Sequence, residues 1–154
     1  MSEYLATVHW TRNTEEDFLS NNYSRVHEWT FDGGLTVPAS PSPHIVNAPW
    51  SDTANVDPEE AFVASLSSCH MLFFLAFAAK EGVLVNSYRD EAIGVLARNS
   101  AGKMAMTEVR LRPTIEFDPS TQPAPEEVDD LHHRAHEHCY IANSVTTQIT
   151  IEKQ

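Results

Sequence analysis

The 154-residue sequence has little of several features that would define its class. Two cysteines are too few for a disulfide scaffold, and five glycines and nine prolines are too few for a fibrous chain. Basic residues number 10 against 22 acidic ones, and the resulting formal charge of −12 repels nucleic acid and anionic lipid. No uninterrupted apolar run reaches the roughly 18 residues of a membrane span. We therefore expect neither a nucleic-acid partner nor a membrane segment.

The length and the first residues bound the domain count and the compartment. At roughly 100–200 residues per domain, the length predicts a single domain over residues 1–154. The opening sequence MSEYLATVHW has neither the basic nor the apolar segment of a secretory signal, so we expect a cytoplasmic protein. In such a reducing compartment, both cysteines stay thiols unless chemistry oxidises them.

Residue patterning predicts a mixture of strands and helices. Strands are expected over 4–10, 23–31, 35–37, 87–98, 104–117 and 145–151. Helices are expected over 61–79 and 126–138. The four prolines of residues 38–50 indicate a loop there. The order βββ-α-ββ-α-β defines an α+β fold.

The first helix has a well-marked start and an unusual composition. In the segment 57–60, Asp57 suits the N-cap, the following proline suits the first turn, and Glu60 completes a capping box. The helix that follows is apolar almost all round and ends before Gly82. Burial on every side is reached most easily when two protomers pack together, so we predict an obligate homodimer.

Cys69 lies within this helix, and two interpretations are open. Free cysteine is among the most buried residue types, which favours a structural role. A nucleophilic thiolate would instead need a cation to lower its pKa, and Arg25 and Arg12 are candidates. Glu59 lies ten residues away, about 15 Å along a straight helix. Contact with Cys69 would require a break near the serines, a spanning arginine or a second subunit.

Cys139 follows a helix end that is rich in histidine. His132 and His136 are four residues apart and share a face, a spacing used by helical zinc sites. Histidines at a helix C-terminus also complement the helix dipole as a solvated surface. A metal-binding dimer that uses His132, His136 and Cys139 is therefore an alternative function.

Two segments make the chain resemble a known family. Residues 57–69, DPEEAFVASLSSC, and 135–139, AHEHC, together with the element order, resemble the OsmC/Ohr family of thiol peroxidases. The resemblance covers nearly the whole chain. It implies an intertwined homodimer in which antiparallel sheets wrap two central helices, with active sites at the subunit interface.

The resemblance also assigns roles by position. Cys69 corresponds to the peroxidatic cysteine, Cys139 to the resolving cysteine and Glu59 to the family's acid, while Arg25, or else Arg12, takes the place of its arginine. The implied activity is a two-cysteine hydroperoxide reductase of the antioxidant stress response, which passes through a Cys69 sulfenic acid and a Cys69–Cys139 disulfide. The substrate would be an organic hydroperoxide. No metal or bound cofactor is implied; the reductant would be an external dithiol, such as a lipoylated protein.

The chain departs from the family pattern in two places. Asp57 replaces the usual asparagine, which preserves a helix cap. Tyr140 follows Cys139 where many members have proline, so the geometry around the resolving cysteine is expected to differ. A further alternative is a redox-sensing dimer that is oxidised once, signals to a partner and uses the region of His132, His136 and Cys139.

Overall fold

The computed structural model describes residues 1–152, and they form two compact units divided after Ala61. Residues 153 and 154 of the predicted domain lie outside the described residues. The assignment of residues 1–154 to one domain stays a prediction. The mixture of two helices and several sheets confirms the predicted α+β class.

The first unit contains a three-stranded antiparallel sheet. Its strands are β1 (Ala6–His9), β2 (His27–Phe31) and β3 (Thr36–Ala39), in that spatial order. The first two are shorter than predicted, and β3 includes Pro38, which we expected in a loop. A proline is tolerated there because β3 is an edge strand of this sheet.

The helix α1 (Pro58–Lys80) begins and ends as the sequence predicts. The backbone N–H of Glu60 donates to Oδ1 of Asp57 at 2.8 Å, and the N–H of Asp57 donates to Glu60 Oε2 at 3.3 Å. At the other end, the N–H of Val83 bonds to the carbonyl of Ala78, while Gly82 adopts a φ of 75°. This is a capping box followed by a glycine-terminated C-cap.

The long apolar helix α1 is only partly covered by its own chain. Its fully buried residues recur at every fourth position and are Leu66, His70, Phe74 and Ala78. In the most apolar 18-residue window, of mean hydropathy 1.8, only 22% of residues are buried. By length and composition alone, α1 could therefore cross a membrane. The serines of α1 interrupt its apolar run, but they do not prevent a high average hydropathy over the window. A core helix meets the same criterion, so this is weak evidence for a membrane span.

The second unit combines the rest of α1 with a further helix and two sheets. The helix α2 spans Pro125–His138. The strands are β4 (Val85–Asp90), β5 (Ile93–Arg98), β6 (Met104–Leu111), β7 (Pro113–Phe117) and β8 (Gln148–Ile151). β4 pairs with β7 and β5 with β6, both antiparallel, and β8 pairs with β6 in parallel. The parallel pair is possible because α2 lies between β6 and β8 in the chain.

Two predicted long strands, 87–98 and 104–117, were wrong as single elements. Each divides between the two sheets of the second unit, after Asp90 and at Arg112. The carboxylate of Asp90 accepts hydrogen bonds from the N–H of Arg112 at 2.6 Å and from the hydroxyl of Ser67 at 2.5 Å. These bonds connect α1 to the place where the chain passes from one sheet to the other. Arg112 precedes Pro113, and a proline restricts the conformation of the residue before it.

The buried face of α1 supplies most of the core. Phe74 and Ala78 pack with Leu131 and Ala135 of α2, above the sheet formed by β4 and β7. Leu66 packs nearer the other end of the helix against β6. Cys69 and His70 lie between these two clusters, so their positions are set by packing on both sides.

Candidate active site

Cys69 opens onto an apolar groove on one side of α1. The thiol-bearing residue is half-buried, whereas its neighbour His70 points into the core with 1% exposure. The groove has a volume of about 460 Å³. Its lining residues are Ser65, Ser68, Cys69, Leu72, Phe73, Ala76, Tyr140 and Ile141. A small molecule with an apolar portion could therefore reach the Cys69 sulfur.

Cys139 is the C-cap residue of α2 and is buried. Its carbonyl accepts the N–H of Asn143 at 3.0 Å, and its sulfur accepts the N–H of Ala142 at 3.4 Å. Burial, and to a smaller extent the interaction with the Cys69 side chain, raises the pKa of the Cys139 thiol to about 11. Cys139 is therefore a neutral thiol at physiological pH.

The structure brings the two cysteines together from distant parts of the chain. Tyr140 and Ile141, which directly follow Cys139, line the same groove as Cys69, and the Cys69 side chain contributes to the raised pKa of Cys139. Both residues are free thiols. Cys69 lines an open groove, whereas Cys139 is buried. This arrangement is compatible with two successive reactions, in which Cys69 is oxidised first and the sulfur of Cys139 then attacks the oxidised Cys69.

The structure leaves the roles of Glu59 and Arg25 as predictions. The helix α1 is continuous from Pro58 to Lys80, which excludes a break between Glu59 and Cys69. The guanidinium of Arg25 donates to the carbonyl of Tyr23 at 2.7 Å and to Oδ1 of Asn21 at 2.5 Å, and it stacks on the Tyr23 ring. Within residues 1–152, no ion pair is found between Arg25 and Glu59.

A sequence profile of the family described as OsmC-like protein matches residues 51–153. This chain belongs to the OsmC-like family. The matched range contains both cysteines and Glu59, whereas Arg25 and Arg12 lie before it. No curated protein matches the chain.

Solved structures of OsmC-like proteins share the fold over the full length. An OsmC-like protein of unknown function from Vibrio cholerae is 53% identical, with a TM-score of 0.98 and 100% coverage of both chains. An organic hydroperoxide resistance protein from Legionella pneumophila is 16% identical, with a TM-score of 0.69, and covers 99% of this chain and 96% of its own. The organic hydroperoxide resistance protein of Bacillus subtilis is 17% identical at a TM-score of 0.67, with 99% and 98% coverage.

The histidines of this OsmC-like chain are not arranged as a metal site. Nδ1 of His132 is hydrogen-bonded to His70, and His133 faces Glu137 at 3.4 Å. His132 and His136 do line a separate cavity of about 290 Å³. In the part of the chain that the structure describes, no group of three or more potential ligands is close enough to hold a metal ion. The geometry therefore does not support the alternative function through His132, His136 and Cys139.

Two residues near the groove, Tyr140 and His70, have contacts that the sequence does not predict. Tyr140 was noted only as a departure from the family, yet its ring stands edge-on to Phe73, with centroids 5.1 Å apart, at the wall of the groove. His70 was visible beside Cys69, but its partner His132 is 62 residues away. A polar residue inside an apolar helix was the available signal that a buried partner existed.

Proposed function

We propose that the protein is a thiol-dependent peroxidase that reduces organic hydroperoxides to alcohols. One observation carries the proposal: the half-buried Cys69 lines an apolar groove together with Tyr140 and Ile141, the two residues that follow the buried Cys139. Membership of the OsmC-like family supports a redox function related to peroxide or stress. The names of the relatives from Legionella pneumophila and Bacillus subtilis, both hydroperoxide resistance proteins, agree with it.

In the first proposed step, the Cys69 thiolate attacks the distal oxygen of the hydroperoxide. The O–O bond breaks, the alkoxide takes up a proton and leaves as the alcohol, and the cysteine becomes a sulfenic acid. The apolar side chains Leu72, Phe73 and Ala76 would hold the alkyl part of the substrate. A bulky hydroperoxide should therefore be preferred over hydrogen peroxide.

In the second proposed step, the sulfur of Cys139 attacks the sulfenic acid. An S–S bond forms, and the hydroxyl leaves with the proton of Cys139 as water. The raised pKa of Cys139 keeps this thiol unreactive towards the peroxide itself, because the thiolate is the nucleophile. An external dithiol, which the family resemblance suggests is carried by a lipoylated protein, then reopens the disulfide and becomes oxidised.

Activation of Cys69 is proposed to require a second subunit. Glu59 and Arg25 would form a bidentate pair that presents the guanidinium to Cys69 and lowers its pKa. The continuous helix keeps Glu59 about 15 Å along its axis from Cys69 of the same chain. The glutamate of one protomer would therefore serve the cysteine of the other.

An exposed apolar face of α1 supports the homodimer. Its exposed residues recur at every fourth position and are Ala64, Ser68, Leu72 and Ala76. The small side chains of Ala64, Ser68 and Ala76 leave room for a second helix, and Leu72 offers it an apolar contact. A two-fold axis near Ala64 would place a second copy beside this face, so that the partner subunit closes one side of the groove at Leu72 and Ala76 and leaves room for the substrate.

The function is tested by adding one equivalent of tert-butyl hydroperoxide to fully reduced, native protein. We expect rapid loss of both thiols and a mass decrease of about 2 Da per chain, as an intrachain disulfide requires. The Cys69→Ser variant should consume no peroxide. The Cys139→Ser variant should react once and stop at the sulfenic acid. Two thiols that persist for minutes in the wild-type protein would contradict the proposal.

Steady-state turnover separates a peroxidase from a redox sensor. With a dithiol such as dihydrolipoamide present, a peroxidase consumes many equivalents of tert-butyl hydroperoxide per chain. A sensor is oxidised stoichiometrically and is not restored quickly by that reductant. Multiple turnovers that disappear in Cys69→Ser would support the peroxidase.

A further inference from the structure

A hydrogen bond in the core joins the two helices that position the cysteines. Nε2 of His70 on α1 and Nδ1 of His132 on α2 are 3.0 Å apart. Both residues are buried, at 1% and 7% exposure, and their rings are nearly parallel at 13°. The ring of Phe74 packs against His132 with centroids 4.5 Å apart. The proposed peroxide chemistry uses neither histidine.

Burial determines which nitrogen of His70 carries the proton. Nδ1 of His70 has no hydrogen-bond partner among residues 1–152. A buried N–H without an acceptor is rare and unfavourable, so the proton of the neutral ring belongs on Nε2. Nε2 then donates to Nδ1 of His132. Burial, with His132 and His136 nearby, lowers the pKa of His70 to about 4, so His70 is neutral at physiological pH.

The pair lies where it can set the alignment of α2 on α1. His70 directly follows Cys69, and His132 precedes Cys139 by seven residues, or about two helical turns. A slip of α2 by one residue would move its side chains by about 1.5 Å and turn them by about 100°. A disulfide also requires two side chains that point towards each other, so this rotation would turn the Cys139 sulfur away from Cys69. A directional hydrogen bond resists this slip more than apolar contacts do. Buried polar residues fix the alignment of helices in coiled coils in the same way.

We propose that His70 and His132 are positioning residues that hold Cys139 against Cys69 for disulfide formation. The inference rests on the disulfide step of the proposed function. Two leucines would fill the same space with apolar side chains in place of the hydrogen bond between His70 and His132. They would not fix the alignment of the helices. The pair should therefore affect the equilibrium between dithiol and disulfide more than it affects unfolding.

The equilibrium can be measured without any hydroperoxide. The full-length reduced protein is incubated with mixtures of oxidised and reduced glutathione, and the oxidised fraction is determined by thiol counting and intact mass. Two cysteine thiols and one glutathione disulfide give the Cys69–Cys139 disulfide and two molecules of reduced glutathione. The equilibrium constant reports how well the two sulfurs are held together.

The decisive variant is the double substitution His70→Leu with His132→Leu. We expect it to fold with wild-type circular dichroism but to show a disulfide equilibrium constant about tenfold lower, which raises the reduction potential by about 30 mV. The matched control is His133→Gln, since His133 is exposed on the same helix. It should leave the constant unchanged. A folded double variant with the wild-type constant would overturn the proposal.

Two single variants keep the test decisive if the double variant does not fold. Glutamine at position 70 places its amide nitrogen near the position of Nε2, whereas asparagine is one carbon too short. We expect the disulfide equilibrium constant of His70→Gln to stay within about twofold of wild type and that of His70→Asn to fall about tenfold, because a disulfide tolerates little change in the relative position of the two cysteines. Equal constants for these two variants would overturn the proposal.

The outcomes separate this inference from the proposed function. A wild-type protein that equilibrates with glutathione but ignores tert-butyl hydroperoxide contradicts the peroxidase, and the tenfold loss would still support the positioning role. A wild-type protein that forms no Cys69–Cys139 disulfide at any glutathione ratio overturns both.

Discussion

The two faces of α1 differ in what covers them. The buried face carries the larger side chains and comprises Leu66, His70, Phe74 and Ala78. The opposite face is exposed and carries mostly small side chains, and it comprises Ala64, Ser68, Leu72 and Ala76. Contacts within the chain account for the first face, whereas the second borders the Cys69 groove and lacks a cover in a single chain. Changes on the buried face should therefore alter stability, and changes on the exposed face should alter assembly and substrate preference.

Truncation of Phe74 should give the largest effect. This side chain is 0% exposed and contacts the rings of Tyr88 and His132, with centroids 5.5 and 4.5 Å away. Phe74→Ala should lower the free energy of unfolding by about 3–5 kcal/mol, because it leaves a cavity in the core. Urea unfolding followed by circular dichroism measures this loss. Leu84→Ala, at a residue 54% exposed, is the control and should change stability by less than about 1 kcal/mol.

The buried face should also make stability depend on pH. The pKa of His70 falls from 6.5 to about 4 on folding, mainly through burial, so the unfolded chain binds this proton more readily. The contribution to stability is complete above pH 6.5 and declines as the pH falls towards 4, by about 3 kcal/mol in total. His70→Gln should remove this part of the pH dependence, measured by urea unfolding between pH 4 and 7. His133→Gln should keep it, and an unchanged slope in His70→Gln would refute the assignment.

On the exposed face, a charge at Ala64 should break assembly without unfolding the chain. If this face meets its copy, Ala64→Glu buries a carboxylate without a partner and should raise the dimer dissociation constant about a hundredfold or more. Sedimentation velocity measures the shift from dimer to monomer. The control is Ala101→Glu, which adds the same charge in an exposed turn. A dimer that is equally stable in both variants would show that α1 meets its copy elsewhere, or not at all.

The fold was predictable wherever the signals are local. The cap of Asp57 and Glu60, the C-terminal glycine of α1 and the class of the fold all follow from neighbouring residues. The division of the two long strands was not recognised, because it depends on Asp90, whose carboxylate bonds 22 residues away to the N–H of Arg112. Nothing in the alternation of residues distinguishes one long strand from two that enter different sheets.

The candidate site was predictable only in part. The resemblance selected Cys69 and Cys139, and the residues that follow Cys139 line the same groove as Cys69, but the roles of the two cysteines stay predictions. Periodicity alone left Cys69 as either a core residue or a nucleophile. The pairing of His70 with His132 could not be predicted, because the contact arises from helix packing and not from either segment alone. The metal hypothesis relied on a spacing within α2 that ignored this competing partner.

The smallest predicted effect concerns the groove beside the exposed face. Tyr140 is 71% exposed, yet its ring stands at 90° to Phe73 and forms one wall of the groove. Tyr140→Ala should lower kcat/KM for cumene hydroperoxide about fivefold, because an aromatic contact contributes about 1 kcal/mol. Hydrogen peroxide has no apolar part and should be reduced at the wild-type rate, and Tyr140→Phe should behave as wild type with both.

An equal loss with both peroxides would assign a different role to Tyr140. The residue follows Cys139 directly, so its removal could instead disturb the resolving thiol, which acts after the peroxide has left. Single-turnover oxidation of Cys69 in a Cys139→Ser background separates the two roles. If Tyr140 contacts the substrate, the fivefold loss with cumene hydroperoxide on Tyr140→Ala persists in that background. If Tyr140 only holds Cys139, the loss disappears.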